Sequence, residues 1–212
     1  MNYKDSMETL LKSKVKWAGN SEIDNKLRDK YRKVIKDEDY FDFISEAGNG
    51  GFFLDSSLQF YSFITEENYQ NIDLVNDIFL KAYGKYSMGI RTIGQDVFGN
   101  QFVYDVYTQK FLLFNIETAY KEELAKNFKG FVETLVTDIE YYSGRSFILN
   151  WNNEIQFNQR LCPKKPFVIG GEYNNDNFYA STFPKYLEFF ADIARQIHEL
   201  PDGTPIKLKI IE

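Results

Sequence analysis

The sequence has few of the residues on which metal, redox and covalent catalytic sites usually depend. It contains one cysteine, Cys162, and one histidine, His198, among 212 residues. A lone cysteine excludes an intrachain disulfide, and one Cys with one His cannot complete a zinc site without carboxylate ligands. Gly-x-Ser-x-Gly, Walker and dinucleotide-binding motifs are also missing. We therefore expect no metal, no cofactor and no catalytic residue. Cys162 is interpreted as a small buried hydrophobe, and His198 as part of the last turn of a helix.

Long hydrophobic runs are absent as well. The longest strongly apolar stretch, Phe111–Phe114, is far shorter than the roughly 20 residues that a membrane helix needs. The first residues lack the basic head and apolar run of a signal peptide. We therefore predict a cytoplasmic protein with no membrane partner, and a single cysteine suits that reducing compartment.

Aromatic residues and acidic charge are what the sequence has in abundance. Twenty Phe, fifteen Tyr and two Trp can supply a large hydrophobic core, so most of the chain is expected to fold. The net charge is −6, and residues 41–160 contain sixteen acidic side chains against nine basic ones. An acidic surface repels nucleic acid and attracts basic proteins, although solubility alone would also explain the charge. The composition therefore favours a protein partner over a nucleic acid.

Local patterns predict that strands and helices cluster and do not alternate regularly. Helices are expected at 24–36, 37–47, 71–83 and from 128 towards Gly144, with Asp24 and Asn127 as N-caps and Gly48 and Gly84 as terminators. Strands are expected at 52–54, 58–63, 101–106 and 111–116, the last two as an antiparallel hairpin. The predicted class is α+β, with a mostly antiparallel central sheet flanked by helices.

The end of the chain has its own pattern. Segments 166–173 and 178–182 flank a run of Asn and Asp and predict a second hairpin, and a helix is expected from Pro184. Ile206, Leu208 and Ile210 alternate with other residues and predict a final strand. We therefore divide the chain into an N-terminal segment (1–23), an α+β domain (24–149) and a C-terminal β-hairpin–helix–strand extension (150–212) that is expected to pack on the same domain.

Three segments, in this order, carry a family resemblance: Gly50–Phe53, Ile93–Phe102 and Phe114–Thr118. Through them the chain resembles the SUKH superfamily over residues 24–143. The middle segment, with its Gly-x-Asp-x-x-Gly-Asn spacing, is the most specific element. The positions that the resemblance assigns to the structural motif are Gly50, Gly51, Gly94, Gly99 and Asn100. Gln159–Pro163 resembles part of an extension found in a bacterial branch of that family, and the resemblance gives it no role.

The resemblance implies a function in protein binding. Bacterial members of the family look like immunity proteins, which bind a cognate contact-delivered toxin, often a nuclease, and protect the cell that makes it. Fungal relatives regulate cell-wall glucan synthesis, so a cytoplasmic scaffold or regulator of wall synthesis is the alternative. Neither role involves catalysis or a cofactor, and neither specifies an oligomeric state.

Acidic residues beside the predicted strands are the candidate partner contacts. They are Asp55, Glu66, Glu67, Asp96 and Asp105. A basic toxin would be steered to such a surface, and an ordinary solvated role is the alternative for each residue. A carboxylate-based hydrolase is a third hypothesis, because Asp55, Asp96, Asp105 and Glu117 could supply two facing carboxyl groups.

Two glycines are expected to matter for the backbone. Gly51 and Gly99 lie where the chain must reverse next to bulky Phe52 and Phe98. We therefore predict that at least one of them has a positive φ, which glycine adopts without a steric penalty.

Overall fold

The structure is a computed structural model that describes residues 2–16, 22–152, 154–201 and 203–209. Its helices are α1 (Tyr3–Lys12), α2 (Asn25–Arg32), α3 (Glu38–Glu46), α4 (Ile72–Tyr83), α5 (Phe128–Thr137), α6 (Ile139–Ser143), α7 (Arg145–Leu149) and α8 (Lys185–Ile197). Its strands are β1 (Gly51–Phe53), β2 (Leu58–Phe60), β3 (Ile90–Gln95), β4 (Gln101–Asp105), β5 (Phe111–Phe114), β6 (Lys121–Ala125), β7 (Gln159–Pro163) and β8 (Phe178–Thr182). No helix in these ranges has the length and apolar character needed to cross a membrane.

Strands β1 to β6 form one sheet in which the spatial order equals the chain order. Every neighbouring pair is antiparallel, and β7 and β8 form a separate antiparallel pair. The predicted class, α+β with a mostly antiparallel sheet flanked by helices, is confirmed. Because neighbouring strands alternate in direction, the β1–β2, β3–β4 and β5–β6 turns share one end of the sheet, here called the upper end. The β4–β5 turn lies at the lower end.

The helix boundaries follow the capping residues predicted from the sequence. Asp24 Oδ1 accepts the N–H groups of the second and third residues of α2 at 2.8 and 3.1 Å. Asn127 caps α5 through its Oδ1, as predicted. Asn71, which was predicted as the first residue of a helix, instead caps α4 through its own Oδ1. Gly48 and Gly84 end the preceding helices with φ of +65° and +53°. Local hydrogen bonds therefore fix where these helices begin and end.

Two hydrophobic clusters cover the two faces of the sheet. Phe102 and Tyr104 of β4 point into one cluster and Val103 into the other, because successive residues of a strand alternate. The first cluster includes buried residues of α1, α3 and α5. The second places Tyr186 and Phe190 of α8 among buried residues of α4 and β5. Helix α8, which belongs to the C-terminal extension, thus covers one face of the central sheet.

The structure corrects the prediction of a C-terminal hairpin. Strand β8 pairs with β7 and not with residues 166–173. Residues 167–169 form a 3-10 turn, and a Cβ atom on Gly171 would lie only 1.9 Å from the carbonyl oxygen of Lys165. A backbone coiled this tightly cannot present a ladder of hydrogen bonds to a neighbouring strand.

The predicted final strand is also wrong over the described residues 203–209, where no strand forms. The N–H group of Lys209 donates to Gln196 Oε1 at 2.9 Å, and Gln196 Nε2 donates to the carbonyl oxygen of Lys209 at 2.8 Å. A side-chain amide of α8 therefore pairs with this backbone in place of a strand. Ile210, on which the prediction also relied, lies outside the described residues.

A buried polar network joins the extension to the sheet. Arg160 of β7 is only 3% exposed, and its Nη2 donates to Oε1 of Gln59 on β2. The same nitrogen lies 2.9 Å from the side-chain amide of Gln95 on β3, whose oxygen accepts when it faces the guanidinium. Tyr186 of α8 contacts the Gln95 amide at 2.7 Å. Burying these groups is tolerated because each of them finds a partner.

Candidate protein-binding surface

The turn between β3 and β4 is built around Asp96. Its Oδ1 accepts the N–H groups of Phe98 and Asn100, both at 2.8 Å, and its Oδ2 accepts Nδ2 of Asn100 at 2.8 Å. Gly99 has a φ of +86° and Gly51 a φ of +109°, so the prediction of positive φ is confirmed at both positions. Asp96 is 3% exposed, which makes the prediction that it contacts a partner wrong. Both oxygens of its carboxyl group accept hydrogen bonds from residues of its own turn.

Burial raises the pKa of Asp96 to about 7, although its hydrogen bonds to Asn100 and Phe98 and the charge of Arg160 act in the opposite direction. The folded state therefore binds the Asp96 proton more tightly than the unfolded state does. The contribution of this group to stability is complete below the unfolded pKa and is lost as the pH rises through about 7.

As the pH rises from 4 to 7, we expect the free energy of unfolding of the wild type to fall relative to that of Asp96→Asn. The difference between the two proteins should change by at most about 1.4 kcal/mol per pH unit. Urea denaturation of both proteins across this pH range measures the difference. Asp105→Asn is the matched control, since Asp105 caps a turn in a similar way but is partly exposed. The control should keep the wild-type slope. Parallel curves for wild type and Asp96→Asn would contradict the prediction.

The other predicted contact residues do not form a single surface. Asp55 lies in the β1–β2 turn at the upper end, where its Oδ2 is 2.6 Å from Nε of Arg145. Asp105 lies at the lower end, where its Oδ1 accepts two N–H groups of its own turn at 2.8 and 3.0 Å. Glu66 and Glu67 are exposed in the loop between β2 and α4. Two of these residues lie beside exposed apolar groups. Asp105 lies beside Tyr107, which is 80% exposed, and Asp55 lies beside a surface at the upper end that carries several exposed apolar groups.

That surface, here called the α6–α7 surface, is formed by α6, α7 and the loop before β8. Its three large apolar side chains are Tyr141, Leu149 and Tyr173, which are 62%, 60% and 60% exposed. Helix α7 has no buried residue. Tyr173 and Asn150, the residue after Leu149, line one pocket, and Tyr141 lies near enough to Tyr173 to contribute to the raised pKa of that residue. Exposed large apolar groups in one region are typical of interaction sites, and Tyr is among the residues enriched at binding hot spots.

Several contacts hold the α6–α7 surface together. Glu140 Oε2 accepts the N–H group of Ser146 at 2.9 Å, which joins α6 to α7. The ring of Phe147 lies 6.3 Å from that of Tyr173, and a shallow pocket of about 300 Å³ lies between them. The ring of Tyr173 also stacks on Phe167 at 3.9 Å. The pocket could receive one side chain of a partner.

The electrostatic environment of this surface is acidic. Burial, followed by the charge of Glu122, raises the pKa of Tyr141. Burial, followed by the charges of Asp96 and Glu117, raises the pKa of Tyr173 to about 12. Both hydroxyl groups therefore stay protonated near neutral pH and can donate hydrogen bonds. An acidic surface with neutral tyrosines suits a partner that is basic or polar.

The carboxylates proposed for a hydrolase are not arranged for that chemistry. Glu117 is buried, which raises its pKa, and its Oε1 accepts the N–H group of Val168 at 2.7 Å. Asp96 is buried in its own turn, and Asp55 and Asp105 lie at opposite ends of the sheet. Glycoside hydrolysis needs two carboxyl groups that flank one substrate bond. Asp55 and Asp105 cannot form such a pair. Asp96 and Glu117 are buried, and each accepts hydrogen bonds from backbone N–H groups.

The cysteine and the histidine have structural surroundings. Cys162 is buried, and burial raises the pKa of its thiol to about 12, so it is not a reactive thiolate. His198 follows the last residue of α8, and its Nδ1 lies 2.7 Å from the carbonyl oxygen of Thr118. Within the described part of the chain, no three His, Cys, Asp or Glu side chains lie together as metal ligands would.

The residues of the α6–α7 surface were not predicted from the sequence. Tyr141 and Tyr142 are adjacent in a short helix bounded by Asp138 and Gly144. Tyr40 and Phe41 are also adjacent on a helix and are fully buried, so this pattern does not reveal that Tyr141 is exposed.

Comparison with known proteins identifies a related fold. No protein-family model matches the chain, and no curated protein matches it. The crystal structure of Atu4351 from Agrobacterium tumefaciens is similar, with a TM-score of 0.58 and 21% sequence identity, over 81% of this chain and 82% of that one. At this identity the likeness concerns the fold alone.

Proposed function

We propose that this chain is an immunity protein, which neutralises a cognate contact-delivered toxin by stoichiometric binding at the α6–α7 surface. The observation that carries the proposal is the exposure of Tyr141, Leu149 and Tyr173 together at the upper end of the sheet. The resemblance of the Gly94–Asn100 segment to the SUKH superfamily supplies the kind of partner.

The chemistry of the surface supports a protein partner. Tyr141 and Tyr173 offer rigid apolar area with a hydroxyl donor, and the pocket beside Phe147 offers shape. Glu140 adds negative charge at the edge, whereas the charge of Asp55 is offset by Arg145 at 2.6 Å. The charge of Glu140 would steer a basic toxin without contributing most of the affinity. A cytoplasmic location follows from the proposal, because the toxin acts inside the cell that it enters.

The proposal predicts that co-expression with the toxin domain encoded by the neighbouring gene restores growth, and that the two proteins co-purify as a complex. The variant Tyr141→Ala, Leu149→Ala should bind the toxin at least about thirtyfold more weakly. This corresponds to a loss of about 2 kcal/mol of binding free energy, the amount expected for one hot-spot residue. It should also lose protection. Isothermal titration calorimetry measures the affinity.

Tyr107→Ala is the matched control. Tyr107 is 80% exposed but lies in the β4–β5 turn at the lower end of the sheet. This control should bind and protect as the wild type does. Protection without a detectable complex would overturn the proposal and favour an enzymatic mechanism. If Tyr107→Ala lost as much affinity for the toxin as Tyr141→Ala, Leu149→Ala, the α6–α7 surface would not be the interface and the proposed site would be wrong.

A further inference from the structure

A second cleft lies beside α8. It is here called the α8 groove. It has a volume of about 970 Å³ and lies between α8, the segment 164–169 and the extended segment 206–209. Clefts of roughly 300–1,000 Å³ are the size that small-molecule ligands occupy.

The walls of the α8 groove are apolar. Phe189 and Ile193 are four residues apart on α8 and therefore lie on one face of the helix. Ile169 lines a second side, and Ile206 and Leu208 line a third. Three separate segments thus surround one hydrophobic space, which would accept a chain of methylene groups more readily than it would accept water.

The rim of the groove is basic. Its cationic side chains are Lys164, Lys165, Lys185, Lys209 and Arg195, and its acidic ones are Glu188 and Asp192. Arg195 and Asp192 pair with each other at 3.1 Å. Within the part of the chain that the structure describes, no carboxylate lies within 4.0 Å of any of the four lysines. A net charge of +3 at this site contrasts with −6 for the whole chain.

We propose that the α8 groove binds a free single-chain amphiphile with a carboxylate head, such as a fatty acid. The hydrocarbon chain would lie on Phe189 and Ile193, and the carboxylate among Lys164, Lys165 and Lys185. The lysines favour an anionic head group, and the apolar walls favour a hydrocarbon chain attached to it. A concave site in an acidic chain suits a molecule that can enter it, whereas an anionic membrane surface would be repelled by the rest of the protein.

The cleft beside α1 provides an internal comparison. It has a volume of about 560 Å³ and is also partly apolar, with Met7 and Leu11 in its lining. Its charges balance, because Lys4 and Lys12 are matched by Glu8 and Glu46 in the same lining. Lys12 and Glu8 pair directly at 2.5 Å. If apolar surface alone decided binding, both clefts would take the same amphiphiles. If the lysines decide it, only the α8 groove prefers anions.

Titration with decanoate, followed by NMR of the isoleucine and leucine methyl groups, tests the proposal. We expect saturable shifts at Ile169, Ile193 and Ile206. Decyltrimethylammonium, which has the same chain length and the opposite charge, should bind at least about tenfold more weakly. Lys165→Glu, Lys185→Glu should lower the decanoate affinity by about tenfold, since both side chains are exposed and the fold should tolerate their reversal.

Lys4→Glu, Lys12→Glu is the matched control in the α1 cleft and should leave decanoate binding unchanged. Equal affinity for decanoate and decyltrimethylammonium would overturn the proposal, as would shifts centred on Met7 and Leu11. Co-sedimentation with anionic phospholipid vesicles, in the absence of decanoate binding, would assign the groove to a membrane surface and would also overturn it. Thermal denaturation of each variant checks that the fold is kept.

Discussion

Replacing Arg160 with methionine should lower the free energy of unfolding by about 2–4 kcal/mol, because several buried acceptors would lose their donor. Arg160 donates to the side chain of Gln59 and to the carbonyl oxygens of Gln159 and Phe157, at 2.5 and 3.3 Å for the carbonyls. Methionine fills a similar volume but donates nothing. Removing a buried charge offsets part of this loss, and the acceptors left without partners outweigh that gain. Equilibrium urea denaturation measures the effect.

A second readout separates the network from general destabilisation. The charge of Arg160 lowers the pKa of Asp96, so its removal should move the Asp96 titration to higher pH. The extension should also become more sensitive to proteolysis near β7, since Arg160 joins this strand to β2 and β3. Arg145→Met is the matched control, because Arg145 is half-exposed and its Nε pairs with Asp55 at the surface at 2.6 Å. Its cost should stay below about 1 kcal/mol. Equal costs for the two variants would contradict the role given to the network.

Features that depend on neighbouring residues could be predicted from the sequence. Asp24 and Asn127 cap helices through backbone groups two or three residues away, so the local pattern contains the whole interaction. The β4–β5 hairpin has a short connection and was predicted correctly for the same reason. The class of fold follows, because capped helices and hairpin strands already account for most of the chain.

Two strands of the sheet were missed because their sequences are unlike those of typical strands. β6 reads Lys121-Glu122-Glu123, and charges of this kind suit an edge strand, where they discourage pairing with another chain. β3 contains Gly94, which resembles a turn residue in the sequence. In the structure Gly94 pairs with Phe60 of β2, and its lack of a side chain lets the two strands approach each other. A single sequence does not reveal such an approach.

The site was predicted less well than the fold, because exposure and long-range contacts decide it. Asp96 and Asp55 look equivalent in the sequence, yet one is buried and the other is exposed. Arg160 lies about a hundred positions from Gln59, which receives its hydrogen bond. Nothing local indicates that partner. The polar residues Gln59, Gln95 and Gln101 in otherwise aromatic strands were the available sign that the core contains a polar network.

The last prediction concerns the close contact at Gly94. Gly94→Ala should destabilise the protein by about 3 kcal/mol or more, because a Cβ atom at this position would lie 2.3 Å from the carbonyl oxygen of Gln59. This oxygen belongs to the backbone of β2, so the clash can be relieved only by moving β2 and β3 apart. The neighbouring Gln59 side chain accepts from Arg160, and a shift of β2 would loosen the buried network as well.

Gly84→Ala separates this steric effect from backbone strain. Gly84 has a φ of +53°, and a Cβ atom there would meet no atom within 4 Å. Its ψ is −123°, so the substitution should cost about 1–3 kcal/mol, the penalty for an L-residue in a sparsely populated backbone conformation. Gly94 is the reverse case, with a crowded Cβ position and no positive φ. Urea denaturation of both variants should give Gly94→Ala a clearly lower free energy of unfolding than Gly84→Ala. If Gly84→Ala is the less stable variant, β2 and β3 are not packed as closely as the 2.3 Å distance at Gly94 requires, and the prediction is wrong.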